Sequence, residues 1–141
     1  MQKINFFTED INYTLKQKTK IRLWITATIK EEGYNLEELN FIFCSDNYLL
    51  RINQDYLKHN NYTDVITFDN AEGLKMIMGD IFISVDRVKE NAKQFKSNME
   101  TELCRVIIHG TLHLLGYKDK AKAAKTEMTA KEDYYLALAV V

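Results

Sequence analysis

Apolar and polar positions alternate along the chain with two different periods. Between residues 18 and 32 apolar side chains recur every three or four positions, which predicts a helix that Gly33 would end. The same spacing predicts a helix that Ser45 or Asp46 caps and that continues to Tyr56. Three more helices are predicted over residues 85–95, 103–114 and 121–138.

Short aromatic and β-branched runs predict four strands, at residues 4–7, 39–44, 65–68 and 76–84. The polar stretch 69–75 contains Gly73 and is typical of a hairpin loop between the last two strands. Strands and helices are interleaved, but a hairpin is included. We therefore expect the α+β class, with a small mixed sheet of about four strands covered by helices.

The composition suits a single domain over residues 1–141, because 46% of 141 residues are hydrophobic. A formal net charge of −1 gives no general attraction to nucleic acid, so a polyanion would have to meet a local patch. The start of the chain has no apolar run long enough for a signal peptide or a membrane span. We expect a cytoplasmic protein with no membrane partner, in which Cys44 and Cys104 are reduced, buried thiols.

Two of the three histidines, His109 and His113, are four residues apart in a strongly helical pattern. Side chains at this spacing share a helix face, with Cβ atoms roughly 6 Å apart. Both imidazoles can then reach one metal ion at about 2.0–2.1 Å. The alternative is that both rings merely face the core or the solvent. The pairing at ligand spacing beside a glycine break favours a metal site on this helix and the turn that follows it.

A helix supplies only two ligands in this way, so a third must come from elsewhere. Gly116 lets the chain turn back, and Asp119 lies just past that turn. Asp119 could instead be the N-cap of the last helix, and both roles stay open. Gly110 stands where the zincin metalloproteases carry their glutamate, which weakens a protease interpretation, and a glycine there would leave space beside the metal.

The segment 109–119 resembles the His-Gly-x-Leu-His-Leu-x-Gly-Tyr-Asp-His signature of the YbeY family, bacterial endoribonucleases of ribosomal RNA maturation. Residues 63–68 resemble the family's Thr-Asp-Val-Leu-Ser-Phe segment, and residues 78–81 resemble its Leu-Gly-Asp-Ile segment. The likeness runs from about residue 39 to residue 117 with the motifs in the same order.

The resemblance implies a mixed sheet with helices and a metal-dependent hydrolase of single-stranded RNA. It also implies 16S ribosomal RNA 3′-end maturation and small-subunit quality control, with ribosomal RNA and small-subunit proteins as partners. In the family three histidines hold the metal, usually zinc. No catalytic group is assigned to this chain beyond the metal-bound water.

The chain departs from the family pattern at two positions. Asp119 stands where the third histidine would be, so the expected ligands of one divalent metal, zinc by preference, are His109, His113 and Asp119. A carboxylate ligand makes the ion a weaker Lewis acid and also suits iron or manganese. Leu57 stands where the family has an arginine thought to serve RNA binding or catalysis.

Positive charges near these motifs are the candidate RNA contacts. They are Lys58, His59, Lys118 and Lys120. The lysines at 122 and 125 extend this group, whereas the basic run 16–22 is better explained as a solvated helix face. Thr63, Asp64 and Asp80 could line the cleft or make hydrogen bonds of turns and strand edges.

Two other functions compete with the endoribonuclease. One is a non-catalytic ribosome assembly factor with a structural metal, an alternative that Leu57 keeps open. The other is a metal-dependent hydrolase or oxygenase of a small molecule, since two histidines and a carboxylate can also hold iron.

Overall fold

The computed structural model describes residues 3–139, which form four strands and five helices. In chain order they are β1 (Ile4–Thr8), α1 (Lys18–Glu31), β2 (Asn35–Cys44), α2 (Asp46–Leu57), β3 (Val65–Asp69), β4 (Met76–Ser84), α3 (Val85–Gln94), α4 (Met99–Leu114) and α5 (Lys122–Ala137). Among these described residues, no helix combines the length and hydrophobicity needed to cross a membrane.

The sheet is mixed, with strand order β1-β2-β4-β3. β1, β2 and β4 are parallel neighbours, whereas β3 pairs antiparallel with β4 through the hairpin loop. The parallel pairs need helical crossovers and the antiparallel pair needs only a short loop, which is why the chain interleaves both kinds of element. The predicted α+β class with a four-stranded mixed sheet is confirmed.

The two faces of the sheet are covered by different helices. On one face, Phe41 and Ile81 pack with Ile25 of α1 and Ile107 of α4 in the main hydrophobic core. On the other face, α2 covers a smaller cluster of four buried residues, Cys44, Leu49, Ile52 and Ile66. Strand side chains alternate between faces, so the sheet separates the two clusters.

Two predicted elements, α4 and β2, begin earlier in the structure than the sequence pattern indicated. α4 begins at Met99 rather than at residue 103, because the Asn98 side chain caps it by accepting a hydrogen bond from the Thr101 amide. β2 begins at Asn35 rather than at residue 39, where its side chains alternate between exposed and half-buried positions. Gly33 ends the α1 segment with φ of +84°, and both cysteines are buried free thiols, as expected.

Gly110 brings α4 close to the sheet. A Cβ atom at this position would lie 2.9 Å from Cγ2 of Ile81 and 3.4 Å from Cγ2 of Val65. The expectation that Gly110 leaves space beside the metal was wrong. Successive helix positions point about 100° apart, so the residue after His109 faces the sheet instead.

Candidate metal centre

The end of α4 reverses the chain within three residues. Gly116, with φ of +100°, donates from its N–H to the carbonyl of His113, and the N–H of Tyr117 donates to the carbonyl of Leu112, both at 3.0 Å. These two bonds form a Schellman motif, which requires a residue with positive φ. The turn carries Asp119 back beside the last turn of α4.

Three ligand atoms meet there. Nε2 of His109 and Nε2 of His113 are 3.0 Å apart. Oδ2 of Asp119 lies 3.2 Å from the first nitrogen and 3.3 Å from the second. A tetrahedral ion with bonds of about 2.0–2.1 Å separates its ligand atoms by about 3.3 Å. The triangle is therefore close to the size that one face of such a coordination sphere requires, and the cluster could hold a metal ion.

The other ring nitrogens decide where the protons are. Nδ1–H of His113 donates to the Tyr117 carbonyl at 3.1 Å, and Nδ1–H of His109 donates to Oε2 of Glu132 at 2.5 Å. A carbonyl and an ionised carboxylate can only accept, so in each neutral ring the hydrogen belongs on Nδ1. Both Nε2 atoms then point lone pairs at each other and at Asp119. With both rings neutral, three acceptors converge and no donor from the described residues joins them, an arrangement that a bound cation satisfies.

The pKa values of the two imidazoles are shifted in opposite directions. Burial alone would lower the pKa of His109, but the carboxylates of Glu132, Asp119 and Asp64 raise it above its ordinary value. Burial and the neighbouring His109 lower the pKa of His113, which favours the neutral, ligating form of that ring.

Helix α5 supports the histidine cluster through Glu132, which contacts His109. Glu132 is 7% exposed and its second oxygen accepts from Nη1 of Arg105 at 3.0 Å. A second carboxylate, that of the half-buried Glu32, accepts from the hydroxyl groups of Tyr117, at 2.6 Å, and Tyr135 and from Nζ of Lys131, at 3.1 Å. These bonds tie α1, α5 and the turn after α4 together.

This cluster of possible ligands lies on one side of a cleft of about 420 Å³. We call His109, His113 and Asp119 the ligand wall. Residues 57–63, which lead from the end of α2 toward β3, form the facing wall, and three of them line the cleft beside Leu57: His59, Asn61 and Thr63.

The structure separates the predicted RNA contacts into two groups. His59 and Lys120 line the cleft, whereas Lys58 and Lys118 are exposed residues that are not among the described residues lining it. Nζ of Lys58 instead approaches the carbonyl of Asp55 at 3.3 Å.

The alternative role of Asp119 as a helix cap is not observed. α5 begins at Lys122 with Ala121 in the N-cap position and has no side-chain capping bond. Asp119 is therefore free to turn its carboxylate toward the two histidines.

The acidic residues near the two other motifs lie in different places. Asp64 lines the cleft, and burial raises the pKa of its carboxyl although the nearby His109 lowers it. Asp80 borders a different groove, with Ile52 and Phe82 of the α2 side of the sheet, and accepts a hydrogen bond from Nδ2 of Asn40 at 3.0 Å. Of these two, only Asp64 can influence the candidate site directly.

Glu132 and Glu32 were not predicted from the sequence. Glu132 could have been noticed, because an acid stands between Met128 and Tyr135 on the buried face of the last helix. A charged residue is rarely found there without a partner. Its partner, His109, is 23 positions away in the chain, and no local pattern gives that pairing.

Comparisons with known proteins agree with the motif resemblance. A family model described as Endoribonuclease YbeY matches residues 3–139. The chain is 55% identical to the Endoribonuclease YbeY of Cytophaga hutchinsonii, with 96% of this chain and 94% of the relative covered. It is 48% identical to the Endoribonuclease YbeY of Flavobacterium psychrophilum, with 94% of each covered.

A solved structure supports the fold. The solution structure of a Thermotoga maritima protein matches with a TM-score of 0.63 and 27% identity, covering 94% of this chain and 86% of that one. The sequence motifs, the family model and the two relatives lead to the same result. The chain belongs to the YbeY family.

Proposed function

We propose that this chain is a metal-dependent endoribonuclease that cleaves single-stranded RNA at the ligand wall. The observation that carries the proposal is the convergence of three acceptor atoms on one point of an open cleft. The full-length relatives named as endoribonucleases supply the reaction class.

The proposed ligands are His109, His113 and Asp119, and zinc is the proposed ion. Two imidazoles and one carboxylate form a typical three-residue set for catalytic zinc, which keeps a further position open. Such an ion would acidify a water molecule and neutralise charge on a phosphodiester oxygen.

The residues of the chain itself have separate tasks in this proposal. Glu132 and the Tyr117 carbonyl hold the two imidazoles so that both Nε2 atoms face the cleft. His59 and Lys120 line the cleft and would contact RNA phosphates. Lys58 and Lys118, each adjacent in sequence to a cleft-lining residue, would contact phosphates farther along the strand.

We further propose that the physiological substrate is ribosomal RNA in the cytoplasm. The motif resemblance supports a part in 16S ribosomal RNA 3′-end maturation and in small-subunit quality control, with small-subunit proteins as additional partners. An unpaired 3′ end suits the cleft, because the phosphates and bases of a single strand can be contacted separately.

A single-turnover assay tests the activity. Protein purified without a histidine tag is stripped with a chelator, reloaded with zinc and incubated with single-stranded and duplex RNA. We expect the reloaded protein to cut the single strand and the stripped protein and His109→Ala to leave it intact. Equal residual cleavage by the reloaded protein and His109→Ala would show that the activity comes from a contaminant.

One observation favours a second candidate function. Leu57 is an apolar residue in the cleft, at the position where the family has an arginine. A non-catalytic assembly factor with a structural metal needs no cation there. This candidate predicts that zinc-loaded protein binds single-stranded RNA and releases it uncut.

A further inference from the structure

Glu132 occupies an unusual position for a carboxylate. It is 7% exposed within α5, between the buried Met128 and Tyr135. Burying an ionised carboxylate is costly unless both of its oxygens find charged or polar partners. Glu132 satisfies this with one bond to Arg105 and one to His109, at 3.0 and 2.5 Å.

The bond to Arg105 alone could explain a structural ion pair between α4 and α5. Arg105 is only partly buried, however, and also contacts Asp133 at 3.3 Å on the exposed side of α5. Asp133 could serve that purpose without placing a second charge in the interior. The contact with the Nδ1 atom of His109 is what distinguishes Glu132 from its neighbour.

That contact fixes the orientation of one ligand. The carboxylate accepts the hydrogen of Nδ1, so the lone pair of Nε2 is directed at His113 and Asp119. His113 obtains the same constraint from the Tyr117 carbonyl, a backbone group. Glu132 is thus the side chain that orients an imidazole of the ligand wall in the part of the chain the structure describes.

A carboxylate in this position has a second effect. Its negative charge makes the imidazole more basic and therefore a stronger metal ligand than a carbonyl partner would. Partners of this kind change metal affinity by about 10- to 100-fold when they are removed.

We propose that Glu132 is a positioning residue for the metal centre, acting through His109, and that Arg105 only forms the ion pair with its other oxygen. This inference rests on the metal-binding part of the proposed function. Glu132 touches the ring of a metal ligand and neither the ion nor the RNA.

The test measures metal affinity at a fixed pH by competition with a chromophoric chelator, and the visible spectrum of the cobalt-substituted protein. We expect Glu132→Gln to weaken zinc binding by about 10- to 100-fold and to change the cobalt spectrum, because an amide can donate to Nδ1 and so favour the wrong tautomer. Asp133→Asn is the matched control on the same helix, and we expect wild-type affinity and spectrum from it.

Two further variants separate the possible explanations. Arg105→Gln removes the ion pair and leaves the contact between Glu132 and His109. If it weakens zinc binding as much as Glu132→Gln does, Glu132 is only a structural partner and the inference is wrong. If wild type itself binds no zinc more tightly than His109→Ala, the metal site of the proposed function fails instead.

A measurement on the wild-type chain covers the case in which Glu132 variants do not fold. Nitrogen-15 spectra of the histidine rings report the tautomer, with His59→Asn and His113→Asn used to assign the resonances of the three rings. We expect His109 to carry its hydrogen on Nδ1 and to bind zinc through Nε2. Zinc coordination through Nδ1 of His109 would overturn the proposal.

Discussion

The ligand wall and the facing wall border the same cleft but are supported in different ways. Behind the ligand wall, Glu132 and Glu32 are nearly buried carboxylates that join three helices and the turn after α4. The facing wall follows α2, and most of its side-chain hydrogen bonds join it to that same helix, as between Nδ2 of Asn53 and the carbonyl of Asn61 at 2.8 Å.

The difference suggests that one wall serves metal binding and the other serves RNA binding. A metal site needs ligand atoms held to within a fraction of an ångström, and buried charged hydrogen bonds achieve this. A substrate-binding wall needs accessible groups, and Leu57 is 41% exposed. Changes on the ligand wall should therefore alter metal affinity and stability, and changes on the facing wall should alter RNA binding alone.

Exchanging one histidine on each wall should give the largest contrast. We expect His113→Ala to weaken zinc binding by more than about 100-fold and to abolish RNA cleavage. Removal of a residue that only hydrogen-bonds to a metal ligand costs up to about 100-fold, and removal of the ligand itself should cost more. His59→Ala should keep wild-type zinc affinity and lose RNA affinity. Chelator competition and filter binding measure the two quantities. Loss of zinc from His59→Ala would show that the walls are not independent.

Removing the charge of Glu32 should destabilise the ligand wall, although Glu32 contacts none of the three proposed ligands. Glu32→Gln weakens the charged hydrogen bonds from Tyr117, Tyr135 and Lys131, and bonds to a charged group contribute about 1.5–3 kcal/mol each at most. We expect a loss of about 2 kcal/mol in the free energy of unfolding, measured by urea denaturation of the metal-free protein. The neighbouring exposed acid gives the control, Glu31→Gln, which should cost little.

The effect of Glu32 should depend on pH with a definite sign. Burial alone would raise the pKa of Glu32, but its three hydrogen-bond donors outweigh burial and lower it. A lowered folded-state pKa stabilises the protein above the unfolded-state value and loses this effect as the pH falls through the folded-state value. The stability difference between wild type and Glu32→Gln should be constant at neutral pH and shrink in acid. A difference that grows in acid would contradict the sign.

A side chain added at Gly110 should push α4, and with it both histidines of the ligand wall, away from the sheet. In Gly110→Ala the new methyl group meets Ile81 and Val65 of the sheet. Overpacking costs about 1–3 kcal/mol and the higher helix propensity of alanine offsets about 1 kcal/mol, so we expect a net loss of up to about 2 kcal/mol. Zinc affinity should fall with it. The double variant with Ile81→Ala should show a smaller cost for Gly110→Ala, and additive costs would mean that the contact is not the cause.

The parts of this site that were predictable from sequence are those with local causes. Helical spacing places His109 and His113 on one face, and the glycine turn places Asp119 nearby. The strands could also be recognised, except where β2 begins with Asn35 and half-polar positions. There, pairing with β4 rather than a hydrophobic run extends the strand.

The supporting residues could not be predicted because their causes are tertiary. The pairing of Glu132 with His109 depends on how α5 packs against α4. Likewise, Glu32 meets Tyr117 and Tyr135 across 85 and 103 positions of the chain. A polar residue at a buried helical position signals that a partner exists without showing which one.

A change confined to the facing wall should give the smallest effect and the sharpest test of its independence. Leu57→Arg adds a cation at an exposed cleft position. We expect unchanged stability and zinc affinity. If the arginine makes one new phosphate contact, the slope of log affinity for single-stranded RNA against log salt should become more negative by about 0.7. Binding titrations at several salt concentrations measure this slope.

Leu74→Arg is the matched control for that measurement, because Leu74 is 95% exposed in the loop between β3 and β4, at the end of the hairpin away from the cleft. It adds the same charge and should leave the slope unchanged. Equal slopes for the two variants would mean that the facing wall attracts RNA only through net charge. A steeper slope for Leu57→Arg together with faster cleavage would show that Leu57 limits activity, whereas tighter binding with no cleavage would favour the assembly factor.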